Sequence, residues 1–184
     1  MRLEISELAQ PSVKFGPPSL NDTEALAALH VLCWQQAYEE ILPAEYLRDL
    51  SVAERAENWR TTIADPEVFA MVASVDGVIV GFVSAGPSRK GSVIYADGEI
   101  YAIYIHLDHY RKGIGRRFLA EAAKFWLAGN GRSLVVMYLG DNKKAEAFYH
   151  SLGGVQVWEG LTVIAGISVA DKAQVFNNLA ELAA

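Results

Sequence analysis

An apolar, strand-like run, Tyr101-Ala-Ile-Tyr-Ile-His106, passes through a basic turn, Tyr110-Arg-Lys-Gly-Ile-Gly-Arg116, into a pattern of a different period. After the turn Ile114, Phe118, Ala122 and Trp126 recur every four residues, which predicts an amphipathic helix. A strand feeding a helix in this way points several backbone N–H groups at one spot, and the helix dipole adds partial positive charge there. Such a turn is suited to phosphate oxygens. Gly113 and Gly115 let the backbone approach an anion where side chains would block it.

Two common phosphate sites fit poorly. A P-loop needs Gly-Lys followed by Ser or Thr, and the chain has none. The dinucleotide fingerprint needs a third glycine, and Phe118 stands in its place. A second ordered segment lies about 30 residues on. It runs Leu134-Val-Val-Met-Tyr-Leu-Gly-Asp-Asn-Lys-Lys-Ala-Glu-Ala-Phe-Tyr-His-Ser-Leu-Gly-Gly154 and reads as strand, turn, Asn, helix and glycine. Together the two segments resemble motifs A and B of the GNAT family of N-acetyltransferases. The first matches [Gln/Arg]-x-x-Gly-x-[Gly/Ala], with Tyr110 in the Gln/Arg slot and Leu107 where Pro is common. The second matches at Asn142, Ala145, Phe148, Tyr149 and Gly153. Trp34, Tyr38, Ile41-Leu-Pro-Ala-Glu-Tyr-Leu47 and Trp59 extend the resemblance, which covers about residues 12–168.

The resemblance implies an acetyl-CoA-dependent N-acetyltransferase in which an amine attacks the thioester directly. By the same resemblance, the backbone of Arg111, Lys112, Gly113, Ile114, Gly115 and Arg116 holds the pyrophosphate. Ile103, Tyr104 and Ile105 offer backbone groups to the pantetheine arm, and Asn142 bonds the cofactor or caps its helix. Tyr149 is the candidate general acid toward the departing sulfur, and Glu99 the candidate general base. Trp34 and Tyr38 are expected to wall the acceptor pocket, where an aromatic face suits a cation. The acceptor class is expected to be a small-molecule primary amine. A protein N-terminus is one alternative, and a non-catalytic acyl-CoA sensor is another. A homodimer follows family habit.

Composition narrows the classes further. A chain of 184 residues with 52% apolar and 21% charged residues suits one globular domain over residues 1–184. Residues 1–11 read as a short extension and 172–184 as a tail. No 18-residue apolar run or signal-peptide core is present, and Cys33 is alone, so a reducing cytoplasm is the expected home. Cys33 falls on an apolar helix face, which suits a buried thiol. The four histidines lack a metal-ligand spacing, so no metal is expected. A net charge of −6 argues against nucleic acid, and no membrane partner is expected. The charge is uneven: residues 89–144 hold ten Lys/Arg against five Asp/Glu, and the rest six against seventeen. This split predicts an anionic cofactor at the centre and a cationic acceptor.

The pattern predicts a mixed α/β fold, a mainly antiparallel twisted sheet flanked by helices. Helices are expected over about 24–38, 44–50, 52–64, 114–128 and 143–152, the first behind an Asn21/Glu24 capping box. Val68–Val75 and Val78–Ala85 flank Asp76-Gly77, a strong hairpin signal. Further strands are expected at 13–15, 92–96, 99–106, 133–139, 155–159 and 161–168, with a helical tail at 172–183.

Overall fold

A computed structural model of the chain describes residues 12–89 and 94–184. The elements in order are β1 (Lys14–Gly16), α1 (Thr23–Tyr38), α2 (Ala44–Arg48), α3 (Val52–Ala64), β2 (Phe69–Val75), β3 (Val78–Pro87) and β4 (Gly98–Ile105). Then come α4 (Ile114–Ala128), β5 (Leu134–Leu139), α5 (Lys143–Ser151), β6 (Val155–Ile164), β7 (Ile167–Phe176) and α6 (Leu179–Leu182). The strands form one sheet in the order β1-β2-β3-β4-β5-β7-β6, antiparallel except for the β4–β5 pair.

Alternation along the central strands sends side chains to two separate cores. Val83, Ala85, Ile100 and Val136 pack with Ile114, Phe118 and Leu119 of α4. On the other face Phe82 packs with Leu26, Leu29 and Cys33 of α1 and with Ala56 and Trp59 of α3. Cys33 is buried, and burial pushes its thiol up to about 12.

The parallel pair is tied only at its start. Gly98, Glu99 and Ile100 pair with Leu134, Val135 and Val136, and no pairing follows. The Asp97 carboxylate accepts from the Arg132 and Ser133 amides at 2.7 and 3.2 Å, clamping the closed end. A Cβ on Gly98 or Gly131 would run into the Trp126 indole, so both glycines let that ring seat against the clamp. In the β3–β4 ladder Tyr101 is left unpaired as a bulge. A bulge bends its strand, and this one falls where β4 leaves β5.

Several expected elements differ. The cap before α1 is Ser19/Asp22, the Asp22 carboxylate accepting from the Ser19 amide and hydroxyl at 2.7 and 2.8 Å, and not Asn21/Glu24. The described part of the expected 92–96 strand, residues 94–96, is irregular; residues 92 and 93 lie outside the described residues, as does the expected 1–11 extension. The closing strands are longer than expected, with their turn at Ala165-Gly166, both at positive φ (52° and 78°). Gly160 reads as a break but lies inside β6, beyond a register shift at Val157, and a Cβ there would run into the Trp158 ring. Residues 172–176 belong to β7, and the helix of the expected tail shrinks to Leu179–Leu182.

Candidate active site

The basic turn carries a row of amides. Arg111 (φ 62°) and Gly113 (φ 79°) are both left-handed, which turns the chain sharply into α4. A Cβ on Gly113 would meet nothing within 4 Å, so the backbone angle alone calls for glycine there. The Arg117 amide donates to the Gly113 carbonyl at 3.0 Å, closing the first turn of α4. The amides of Ile114, Gly115 and Arg116 therefore precede any intrahelical bond. Those of Arg111, Lys112 and Gly113 find no acceptor among the described residues either. Six successive unpaired donors beside a helix N-terminus are chemically suited to an anion. The exposed side chains of Arg111, Lys112 and Arg116 enter no ion pair among the described residues, whereas Arg117 bonds Glu121 at 3.1 Å.

Gly115 has a different task from the one its spacing suggests. A Cβ there would lie 2.8 Å from the Phe148 ring of α5. The glycine lets α4 and α5 approach closely, whereas Gly113 supports the turn.

Beside this turn lies the gap between β4 and β5. Ile103, Tyr104 and Ile105 pair with Val83, Phe82 and Gly81 of β3, and their edge toward β5 has no strand partner. The backbone groups on that edge are left free to pair with a ligand. Asn142 caps α5: its side-chain oxygen accepts from the Ala145 amide at 3.1 Å, leaving its NH2 unused among the described residues. Tyr149, also on α5, is 6% exposed and its ring packs on Tyr138, Phe148 and Phe176. The Tyr138 hydroxyl is engaged by the Gln174 amide at 3.0 Å, but the Tyr149 hydroxyl has no partner among the described residues. Burial raises the Tyr149 pKa, so it stays protonated and able to donate at any ordinary pH.

The opposite face of β4 carries the remaining candidates. Glu99 is 2% exposed, and its carboxylate accepts from the Arg89 amide at 3.1 Å and from the Arg89 guanidinium. Tyr38 and Tyr104 share a hydrogen bond at 2.9 Å between their hydroxyls, and Tyr38 meets Trp34 edge-on. The Arg55 guanidinium lies 4.6 Å from the Trp34 ring centre. The sequence reading missed three groups here. Arg55 and His30 are brought to this face by α3 and α1, and Asp171 by β7, opposite Leu139 at the open end of β5. Burial raises the Asp171 carboxyl above the usual range. Nothing in their local sequence marks them; only the crossing of α1 over the sheet does. Among the described residues no group of three His, Cys, Asp or Glu could hold a metal ion, and no helix is long and apolar enough to cross a membrane.

The donors of the turn suit a diphosphate, and the open strand edge suits an amide-bearing arm. Both parts occur in the coenzyme that the motifs imply, and the residues present fit it. Comparison with known proteins agrees. The Acetyltransferase (GNAT) family profile matches residues 26–154. An uncharacterized N-acetyltransferase of Bacillus subtilis (strain 168), YuaI, is 33% identical over 152 residues, covering 83% of this chain and 86% of that protein. Among solved structures, the PaiA N-acetyltransferase of Thermoplasma acidophilum in complex with coenzyme A superposes with a TM-score of 0.69 at 19% identity, covering 88% of this chain and 98% of that one. YncA, a putative acetyltransferase of Salmonella typhimurium with acetyl-CoA, gives 0.70 at 17% identity, covering 90% and 94%.

Proposed function

Because the chain belongs to the GNAT family of acetyl-CoA-dependent acyltransferases, we propose that it moves an acetyl group directly onto the primary amine of a small molecule. The observation that carries this reading is the open edge of β4 beyond its short pairing with β5, together with the six unpaired amides of the turn that follows β4.

In this reading the amides of Arg111–Arg116 hold the pyrophosphate, with the Arg111, Lys112 and Arg116 side chains adding charge. The free edge of Ile103–Ile105 aligns the pantetheine arm, and the Asn142 NH2 adds a further donor. Acetyl-CoA supplies the thioester carbon that the amine attacks. Tyr149 then gives its phenolic proton to the departing sulfur, the raised pKa keeping that proton on the phenol until the thiolate forms. The attacking amine must first lose a proton. Two carboxylates face the acceptor side, Glu99 and Asp171. Glu99 has its charge already met by Arg89, whereas Asp171 forms no ion pair among the described residues. Trp34 and Tyr38, both on α1, form the aromatic wall of the acceptor side.

A cytoplasmic home, supported by the lone buried Cys33, and a homodimer belong to the same proposal. The test is a screen of primary amines and short peptides with acetyl-CoA, reading free thiol and acetylated product. Acetylation of small amines is expected. Acetylation of peptide N-termini alone would move the reading to protein substrates. Coenzyme binding without turnover on any acceptor would support the sensor alternative.

A further inference from the structure

On the α1/α3 face of the sheet, beside the upstream end of the β4 gap, lies a cavity of about 300 Å³. Its wall contains two guanidinium groups, Arg55 and Arg89, and, among the described residues, no carboxylate. Arg89 is committed to Glu99, so their charges cancel; Arg55 has no acidic partner among the described residues. One positive charge is left over.

Thr62 and Tyr101 of the wall spend their hydroxyls on the Asn58 and Pro87 carbonyls, but two other neutral groups lack partners. Trp59 is 4% exposed, and its indole N–H is buried without an acceptor among the described residues. Ser84, 4% exposed, sits opposite Ala102 on the strand pair, and its hydroxyl has no partner among the described residues either. His30, 8% exposed, completes this side. Burial and the nearby Arg55 hold its pKa down to about 3, so at neutral pH it adds a donor but no charge. The Trp59 N–H is the one buried donor of this set left unpaired, a costly state, and with the Ser84 hydroxyl and the neutral imidazole beside Arg55 the wall favours an acceptor oxygen. A charge balance of plus one suits a monoanion better than a phosphate dianion, and a guanidinium matches a carboxylate with two parallel bonds.

The position ties the cavity to the reaction. Ala102 and Tyr101 of β4 line it, and Tyr104 on the open edge is two residues further on, about 7 Å along the strand. We propose that this cavity holds the carboxylate of the acceptor, so that the substrate is an amino acid, with its amine directed toward the β4–β5 gap. The inference rests on the acetyltransferase reading above and selects among its acceptors. It excludes peptide N-termini and simple polyamines as preferred substrates, because neither carries an anion beside its amine.

The test uses the whole chain, acetyl-CoA and matched pairs of acceptors: each standard amino acid beside the amine that lacks only its carboxylate. Wild type is expected to prefer the carboxylate member of its best pair by tenfold to a hundredfold in kcat/KM, the range of one charged hydrogen-bonding group. In Arg55→Gln that gap should collapse mainly through KM, and Arg55→Lys should restore part of it. Thermal melts check that both variants fold. Equal or better turnover of the decarboxylated amines by wild type overturns the inference while leaving the acetyltransferase reading intact. If no pair releases thiol although coenzyme A binds, amino acids are not turned over, and the acetyltransferase reading is decided separately by the wider screen of primary amines and peptides. The cavity is then judged by the melting shift given by N-acetyl amino acids: a shift in wild type that Arg55→Gln abolishes supports a carboxylate site, and no shift overturns it.

Discussion

Tyr149 and Tyr138 show how one residue type takes two tasks at neighbouring positions. Tyr138 spends its hydroxyl on Gln174, whereas Tyr149 is as well buried and leaves its own unused. Tyr149→Phe keeps the ring and its contacts with Phe148 and Phe176, so fold and coenzyme affinity should persist. Turnover should fall about a hundredfold, the scale of a lost general acid. The loss should shrink with a donor whose thiol is more acidic, because that leaving group needs less help. Full-speed turnover by Tyr149→Phe with the ordinary donor would assign the phenol to packing alone. The two carboxylates separate by pH profile. If Asp171 takes the amine's proton, Asp171→Asn should remove the acidic limb of kcat/KM, whereas the limb surviving in that variant and vanishing in Glu99→Gln would give the role to Glu99.

The elements around the gap divide the glycines into those that shape the backbone and those that admit a neighbour. Gly113→Ala adds a methyl group that touches nothing but forces a left-handed alanine, a strain of roughly 1–2 kcal/mol. It should weaken coenzyme binding by tilting the row of amides, with a modest loss in melting temperature. Gly115→Ala drives a methyl group into Phe148 and should loosen the α4–α5 contact, giving the larger drop in stability. Calorimetry and thermal melts on the two variants should therefore rank them in opposite orders; the same order for both quantities would contradict this division. The turn was legible in the sequence because its glycines, its basic residues and the change of period all coincide within 16 residues. Nothing comparable marks Arg55 and His30, which meet only when α1 and α3 pack on the sheet, or Asp171, which β7 sets opposite Leu139. The β6–β7 hairpin was misread because Gly160 resembles a strand end, and its actual role, making room for Trp158, depends on a bulge that periodicity does not reveal.

At the scale of the whole molecule, the uneven charge of the chain predicts a cationic acceptor, yet the cavity beside β4 carries Arg55 and, among the described residues, no carboxylate in its wall. A summed charge reports the distant field, and a site is set by the few groups that reach it. The same cavity affects stability. His30 is packed among Trp34, Trp59, Phe82 and Tyr104, and folding depresses its pKa from 6.5 to about 3. The unfolded chain therefore binds a proton that the folded one refuses between those values. Stability is full above about pH 6.5 and declines as pH falls toward 3, by about 1.4 kcal/mol per unit from this residue. His30→Phe should flatten that slope in denaturant titrations between pH 6.5 and 4; an unchanged slope would show that His30 does not titrate this way. The account as a whole rests on direct transfer from acetyl-CoA to an amine across the β4–β5 gap. The most direct measurement is thiol release with and without an amino-acid acceptor, together with the intact mass of the protein quenched during turnover. The account predicts thiol release only with acceptor, one acetylated amine per thiol, and an unmodified protein mass. Thiol release without acceptor, or a protein that gains an acetyl group on the reaction path, would contradict it.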